Sequence, residues 1–226
     1  MHPSALATFL QYTNVQPEAT WSEIRIHCEQ AAECGFHAVM IQPCWISLAK
    51  EILRGTQVKV ASAVAYPMGG ETTSMKVALA REVVRLGADE FDFQPNIGFL
   101  RSGMVSEFLV EVKEVVAAAD GRPVKSMSEF GYLNHEERVL AVTLAEEGGV
   151  SYVKNSSGIG PGGSPATVEE IRFICEHLTG RAKVKASGGI KNYAQAMTIL
   201  EAGAHLIGSS AAPAIIGGKS GGSGSY

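Results

Sequence analysis

Val153-Lys154-Asn155-Ser156-Ser157-Gly158-Ile159 and Val184-Lys185-Ala186-Ser187-Gly188-Gly189-Ile190 are nearly the same heptad, written twice about 31 residues apart. Each has a lysine near the end of an apolar, strand-like run, followed by small residues and glycine. The gap has the length of one βα unit. If the runs are neighbouring parallel strands, Lys154 and Lys185 lie side by side at one edge of the sheet. Two ammonium groups ~4 Å apart, at an effective dielectric of about 20, repel by about 4 kcal/mol. One pKa unit corresponds to about 1.4 kcal/mol, so a depression of about two or three units is within reach. The amine so freed is a nucleophile toward carbonyls. The plainer reading is a pair of exposed strand-end lysines. The small-residue loops after both strands suit phosphate and weigh against it.

Around these heptads, strand-like and helix-like patterns alternate along the whole chain. Strands are expected at 7–13, 37–42, 58–66, 90–96, 123–129, 151–155, 182–186 and 205–209. Helical periodicity fills 21–34, 73–86, 104–119, 135–147, 168–178 and 192–202, with Thr20, Asn134 and Thr167 as N-caps and Gly87 and Gly203 as terminators. Several strands are apolar and β-branched rather than alternating, as parallel strands covered on both faces are. Eight such units predict an α/β fold, a single-domain (β/α)8 barrel over 1–216. An open doubly wound sheet is the competitor, and the G-x-G-x-x-G that would favour it is absent. Residues 217–226, rich in glycine and serine, read as a flexible tail.

With 226 residues, 46% of them hydrophobic, the chain can bury one large core. A net charge of −4 argues against a nucleic-acid partner but leaves room for a locally positive pocket and a small anionic substrate. Cys28, Cys34, Cys44 and Cys175 form no C-x-x-C pair and read as buried or semi-buried free thiols in a reducing cytoplasm. The six histidines have no metal-ligand spacing, so neither a metal nor a dinucleotide is inferred. The first residues carry no secretory pattern, and no apolar run of about 18 residues predicts a membrane span. The expectation is a soluble cytoplasmic protein.

In such barrels the site forms at the C-terminal ends of the strands. The two-residue strand period delivers Lys154 and Ser156 from the sixth strand, Lys185 and Ser187 from the seventh, and Asp92 and Gln94 from the fourth. Asp92, between Phe91 and Phe93, is either a structural partner for a cation or a carboxylate that moves protons with a lysine. Together the three residues suit imine chemistry. One lysine attacks an aldehyde, the second keeps positive charge beside it, and the carboxylate balances the second. Gly158, Gly188, Gly189, Gly208, Ser209 and Ser210 sit after strands six to eight, where barrels of this kind bind phosphate, with a short helix expected over 211–216. The terminal Tyr226 is either part of an idle extension or a tethered phenol that visits the site.

With these residues in view, the chain resembles deoxyribose-phosphate aldolase nearly end to end. The resemblance runs through Thr13 with 17–20, through 48–51 and 58–61, through Gly87-Ala88-Asp89-Glu90-Phe91-Asp92 with 96–98, and through the two lysine heptads. It implies a TIM barrel that reversibly cleaves 2-deoxy-D-ribose 5-phosphate to glyceraldehyde 3-phosphate and acetaldehyde without a cofactor, often as a homodimer. It makes Lys154 the imine-forming lysine, Lys185 the second active-site lysine, Asp92 the proton-relay carboxylate and Tyr226 the family's C-terminal tyrosine. Thr13, Ser187 and the glycines and serines above then become substrate contacts. Gln11, Gln42, Gln94, Phe130 and Asn155 depart from the family pattern, at positions expected to surround the substrate. They keep open a related Schiff-base lyase on another carbonyl compound. A phosphometabolite-binding barrel with little turnover is the reading from a different class.

Overall fold

The computed structural model of the chain describes residues 1–160 and 162–217. Eight parallel strands close into a barrel in sequence order. They are β1 (Leu10–Asn14), β2 (Ala38–Ile41), β3 (Lys59–Val64), β4 (Glu90–Phe93), β5 (Val124–Met127), β6 (Tyr152–Lys154), β7 (Lys183–Ser187) and β8 (Leu206–Ser209). β8 pairs with β1, so the fold is the expected (β/α)8 barrel and the open-sheet alternative falls. The outer ring is α2 (Trp21–Cys34), α3 (Ile46–Ile52), α4 (Thr73–Arg85), α6 (Val105–Ala118), α7 (His135–Glu147), α8 (Val168–His177) and α9 (Tyr193–Glu201). Three short helices complete it: α1 (Pro3–Ala7), α5 (Ile97–Arg101) and α10 (Ala212–Ile215).

Local chemistry sets the helix ends. Thr20 and Asn134 form capping boxes with Glu23 and Glu137, satisfying backbone donors that have no partner inside the helix. Gly35 ends α2 at φ 66°, a left-handed conformation that glycine adopts without steric cost. Three helices escaped the sequence reading: α1, α3 and the five-residue α5. Residues 3–7 form α1, so the first strand starts at Leu10 rather than at Ala7. The His2 ring caps Ser4 N–H, and Pro3 fits a first helical turn. The α3 segment is seven residues long, too short for its periodicity to stand out. Cys28 is buried and Cys34 half-buried, but Cys44 and Cys175 are exposed, contrary to expectation.

The strands face two interiors. Val39, Ile41, Val60, Phe91, Phe93, Val124, Val153, Val184 and Ile207 point outward into the main core beneath the helices. Inside the barrel, Ala38, Met40, Ala61 and Ala63 form a small apolar cluster on β2 and β3. The opposite half of the barrel is polar. Gln11, Glu90, Asp92, Lys125, Lys154 and Lys185 are all buried there. Burial of so many charges is costly unless they pair, and they do.

A second buried ion pair braces the mouth. Lys76 Nζ donates to Glu111 Oε2 at 2.9 Å and to Gly69 O at 2.7 Å, while Glu111 Oε1 accepts from Asn96 N–H at 2.7 Å. It thereby joins α4 and α6 to the loops after β3 and β4. Removing one partner strands a buried charge, so Lys76→Ala should lower the unfolding free energy by about 3–5 kcal/mol in urea titration. The paired change Lys76→Met with Glu111→Leu should recover most of that loss.

Candidate active site

Lys154 and Lys185 are direct register partners on β6 and β7, as the repeated heptad predicts. Both side chains turn into the barrel and meet Asp92. Lys154 Nζ donates to Asp92 Oδ2 at 3.0 Å. Lys185 Nζ donates to the same oxygen at 2.6 Å and to Oδ1 at 2.9 Å. One carboxylate oxygen thus bridges the two amines. Asp92 is fully enclosed, Lys185 is 1% exposed and Lys154 5%. Lys154 is the outer of the two amines.

Two further charged residues, which the sequence reading passed over, sit below this trio. Lys125 Nζ lies 3.2 Å from Glu90 Oε1 and 3.8 Å from Asp92 Oδ1. Glu90 also meets His37 Nε2 at 3.2 Å, at the N-terminal end of the barrel. Their signal was present in the sequence. Glu90 lies two residues before Asp92 and so shares its face, and Lys125 is a cation inside an otherwise buried strand. The cluster holds three lysines against two carboxylates.

This surplus of positive charge governs the ionisation. Burial works to raise the Asp92 carboxyl, but the ammonium groups of Lys185, Lys154 and Lys125 prevail and hold it far below the ordinary carboxylate range. Glu90, likewise opposed by burial, is held at about 2, mainly by Lys125 and His37. Burial pushes Lys185 down to about 7, Lys154 and Lys125 push the same way, and Asp92 offsets only part of it. The depression expected of a lysine pair is carried by Lys185, the more enclosed amine. Because both amines touch Asp92 Oδ2, a proton lost from Lys185 can be replaced from Lys154 across one carboxylate oxygen.

Lys154 and Lys185 open onto a cavity of about 440 Å³. One wall comes from the C-terminal ends of β7 and β8 and the loops after β6, β7 and β8: Gly158, Ser187, Gly188, Gly189, Gly208, Ser209 and Ser210 all line it, and so does Thr13. The opposite wall is Val15, Met40 and Tyr66. Lys191, a rim cation directly after the Gly188-Gly189-Ile190 turn, went unnoticed in the sequence. Among the described residues the lining carries three lysines and no carboxylate, a positive pocket on an acidic protein. Not every polar group on this wall is open to a ligand. Ser209 Oγ already donates to Ile190 O at 2.6 Å, and Ser187 N–H donates to Asn155 Oδ1 at 3.0 Å. Glu129, also missed, accepts from Ser157 N–H and anchors the loop that follows Lys154; burial pushes its carboxyl up to about 7.

Gly208 is fixed by close approach. A Cβ there would lie 2.5 Å from Ser187 Oγ and 3.3 Å from Lys185 Cε. Gly208→Ala must therefore displace the Ser187 hydroxyl and push Lys185 Cε back slightly. A displacement on the scale of 1 Å can cost about a hundredfold in rate, so this smaller one should cost about tenfold. Imine-formation kinetics should show that loss while the circular-dichroism spectrum stays unchanged.

The departures from the family pattern lie elsewhere than expected. Gln42, Gln94, Phe130 and Asn155 do not line the cavity. Asn155 ties β6 to β7, accepting from Ser187 N–H and donating to Ser187 O at 3.2 Å. Phe130 is packed edge-on against Phe173 in the core. Gln42 Nε2 donates to Val15 O at 2.9 Å. Gln94 is buried with Nε2 3.4 Å from Met127 O. Gln11 lies behind Lys185, accepting from its ammonium and donating to Glu90. Tyr226 lies outside the described residues.

No protein-family model matches the chain. It is, however, 41% identical over 218 residues to the deoxyribose-phosphate aldolase of Dictyoglomus turgidum, covering 96% of this chain and 99% of that protein. It is also 41% identical over 217 residues to the deoxyribose-phosphate aldolase of Thermococcus gammatolerans, covering 94% and 96%. The chain belongs to the deoxyribose-phosphate aldolase family. Solved structures agree. The aldolase QR15 superposes with a TM-score of 0.89 at 33% identity, over 94% of each chain. A tetrameric deoxyribose-phosphate aldolase from Aeropyrum pernix superposes at 0.87 with 26% identity, over 95% of this chain and 91% of that one. Within the deoxyribose-phosphate aldolase barrel, the cavity and the lysine cluster sit at the C-terminal mouth, where catalytic groups of such barrels gather. Among the described residues no helix is long and apolar enough to cross a membrane.

Proposed function

We propose that the chain is a class I aldolase that reversibly cleaves 2-deoxy-D-ribose 5-phosphate to D-glyceraldehyde 3-phosphate and acetaldehyde, with Lys154 as the imine-forming lysine. The observation that carries this reading is the shared oxygen of Asp92. It joins Lys154, open to the cavity, to Lys185, whose amine burial brings to about 7. At neutral pH the Lys185 amine is partly deprotonated, and the shared oxygen of Asp92 links it to the amine a substrate can touch.

Neutral Lys154 adds to the C1 aldehyde of the open-chain sugar, and the carbinolamine loses water to give a protonated imine. Removal of the C3 hydroxyl proton breaks the C2–C3 bond. Its electron pair flows to the imine as an enamine, and glyceraldehyde 3-phosphate leaves. Protonation at C2 and hydrolysis then release acetaldehyde and regenerate the amine. Lys185 and Asp92 hold and return the protons. The phosphate dianion is drawn to the wall of Gly158, Ser187, Gly188, Gly189, Gly208, Ser209 and Ser210, with Lys191 at its rim and Thr13 toward the sugar. Tyr226 serves proton exchange at the enamine carbon in this reading.

Since Gln42, Gln94, Phe130 and Asn155 stay out of the cavity, they give no reason to look for another substrate. The chain functions as a homo-oligomer in the cytoplasm, an assembly supported by the tetrameric relative. The test is a coupled assay of deoxyribose 5-phosphate cleavage beside unphosphorylated deoxyribose. The phosphorylated sugar should react with the higher kcat/KM. Equal values would remove the phosphate wall, and no acetaldehyde from either would remove the activity.

A further inference from the structure

Two residues past β5, Glu129 takes φ 48° and ψ 56°, a left-handed conformation that is strained for a residue with a Cβ. The ladder on either side shows why. Ser128 N–H donates to Lys154 O at 2.8 Å, and Phe130 N–H donates to Asn155 O at 3.1 Å. Between two such bonds a regular parallel ladder advances two residues on both strands. Here the β5 side advances two and the β6 side one, so Glu129 is the extra residue of a bulge. A bulge re-aims the side chain it carries.

The re-aimed carboxylate is 3% exposed and lies behind the cavity wall rather than in it. There it accepts from Ser157 N–H, three residues past Lys154. The loop meets it again further on. A Cβ on Gly162 would stand 2.9 Å from Glu129 Oε2 and would overlap the Tyr132 ring. The next N–H groups of the loop also turn inward: Gly158 N–H donates to Ser156 Oγ at 2.9 Å and Ile159 N–H to Ser157 Oγ at 3.1 Å. Residues 157–159 therefore shape the wall rather than donate from it, and Ser157, Gly158, Gly160 and Gly163 all line the cavity. Burial pushes the Glu129 carboxyl up to about 7, against the pull of Ser157 and the Lys154 ammonium, so a neutral acceptor is an ordinary state of this site near neutral pH. What the loop takes from position 129 is an acceptor, not a full charge.

We propose that Glu129 is a positioning residue for the phosphorylated end of the substrate: by holding Ser157 N–H and seating Gly162, it fixes the loop after β6 as a wall of the cavity, and so sets the affinity for the sugar phosphate rather than the reactivity of Lys154. This role rests on the phosphate wall of the proposed function.

The test compares kcat and KM for deoxyribose 5-phosphate, and trapping of acetaldehyde at Lys154 with cyanoborohydride, in wild type, Glu129→Ala, Glu129→Gln and Gly162→Ala. Glu129→Ala should raise KM about tenfold, the scale of one lost hydrogen bond, with kcat nearly unchanged. Trapping involves no phosphate and should keep close to its wild-type rate. Glu129→Gln retains an oxygen for Ser157 N–H and should retain the wild-type KM. Gly162→Ala lifts the loop off an intact Glu129 and should repeat the rise in KM. General damage to the fold would instead lower trapping and kcat together with affinity. An unchanged KM in Glu129→Ala, a KM in Glu129→Gln as high as in Glu129→Ala, or trapping lost in step with KM overturns the inference. If Glu129→Ala does not fold, an unchanged KM in Gly162→Ala overturns it. In each of these cases a wild-type preference for the phosphorylated over the unphosphorylated sugar leaves the phosphate wall standing, whereas equal wild-type kcat/KM for the two sugars overturns both.

Discussion

Lys154→Ala should abolish reductive trapping of acetaldehyde and lower deoxyribose 5-phosphate cleavage on the order of 10⁵-fold, the scale of losing a covalent nucleophile. No neighbouring amine is placed to take over. Lys185 is the nearest, but it is the less exposed and already donates to Gln11 and to both oxygens of Asp92. The protein should remain folded, because among the described residues the Lys154 ammonium donates to Asp92 alone and Asp92 keeps Lys185. Removing the outer ammonium also relieves repulsion on Lys185. Trapping that persists in Lys154→Ala would move the nucleophile to another lysine.

The second large effect belongs to Lys185. In Lys185→Leu, Lys125 and Lys154 remain against Glu90 and Asp92, and the surplus positive charge is gone. Asp92 is then shared by Lys154 and Lys125 alone, with no enclosed amine beside it that releases a proton near 7. The wild-type cluster releases a proton at about 7. Lacking that amine, the variant should form the imine at pH 7 roughly 10³-fold more slowly, the ratio of neutral fractions between an amine at about 7 and one at the ordinary lysine value of about 10.4. Imine formation needs the amine deprotonated, so the rate at pH 7 falls and part of it returns as pH rises toward 10. A midpoint unchanged from wild type would show that Lys185 does not set the charge of Lys154. Three pKa units equal about 4 kcal/mol, the size of one unit-charge repulsion at ~4 Å and an effective dielectric of about 20.

The barrel and the lysine pair were legible in the sequence for a common reason: both are written in strand periodicity. A repeat one βα unit long, with lysine at the same place in each copy, fixes neighbouring strands in matching register, and Lys154 indeed pairs with Lys185. Contacts across the barrel leave no such trace. That Glu90 meets His37 depends on the curvature of the barrel, which brings together residues 53 positions apart at β2 and β4, two strands that do not pair. Strand parity would also have corrected the misplaced departures. Asn155 follows the inward-facing Lys154 and so turns out of the barrel, where it fastens β7 instead of meeting substrate. Lys191 went unnoticed because nothing local marks a lysine after a glycine turn as facing a cavity rather than solvent.

The claim beneath all of this is that an uncharged amine on Lys154 bonds covalently to an aldehyde near neutral pH. Peptide mapping of wild-type protein after acetaldehyde and cyanoborohydride treatment at pH 7 tests it directly. One ethyl group on the peptide containing Lys154, and none on Lys125 or Lys185, is the predicted result. An adduct on Lys185 instead, or no adduct inside the barrel, would contradict the account.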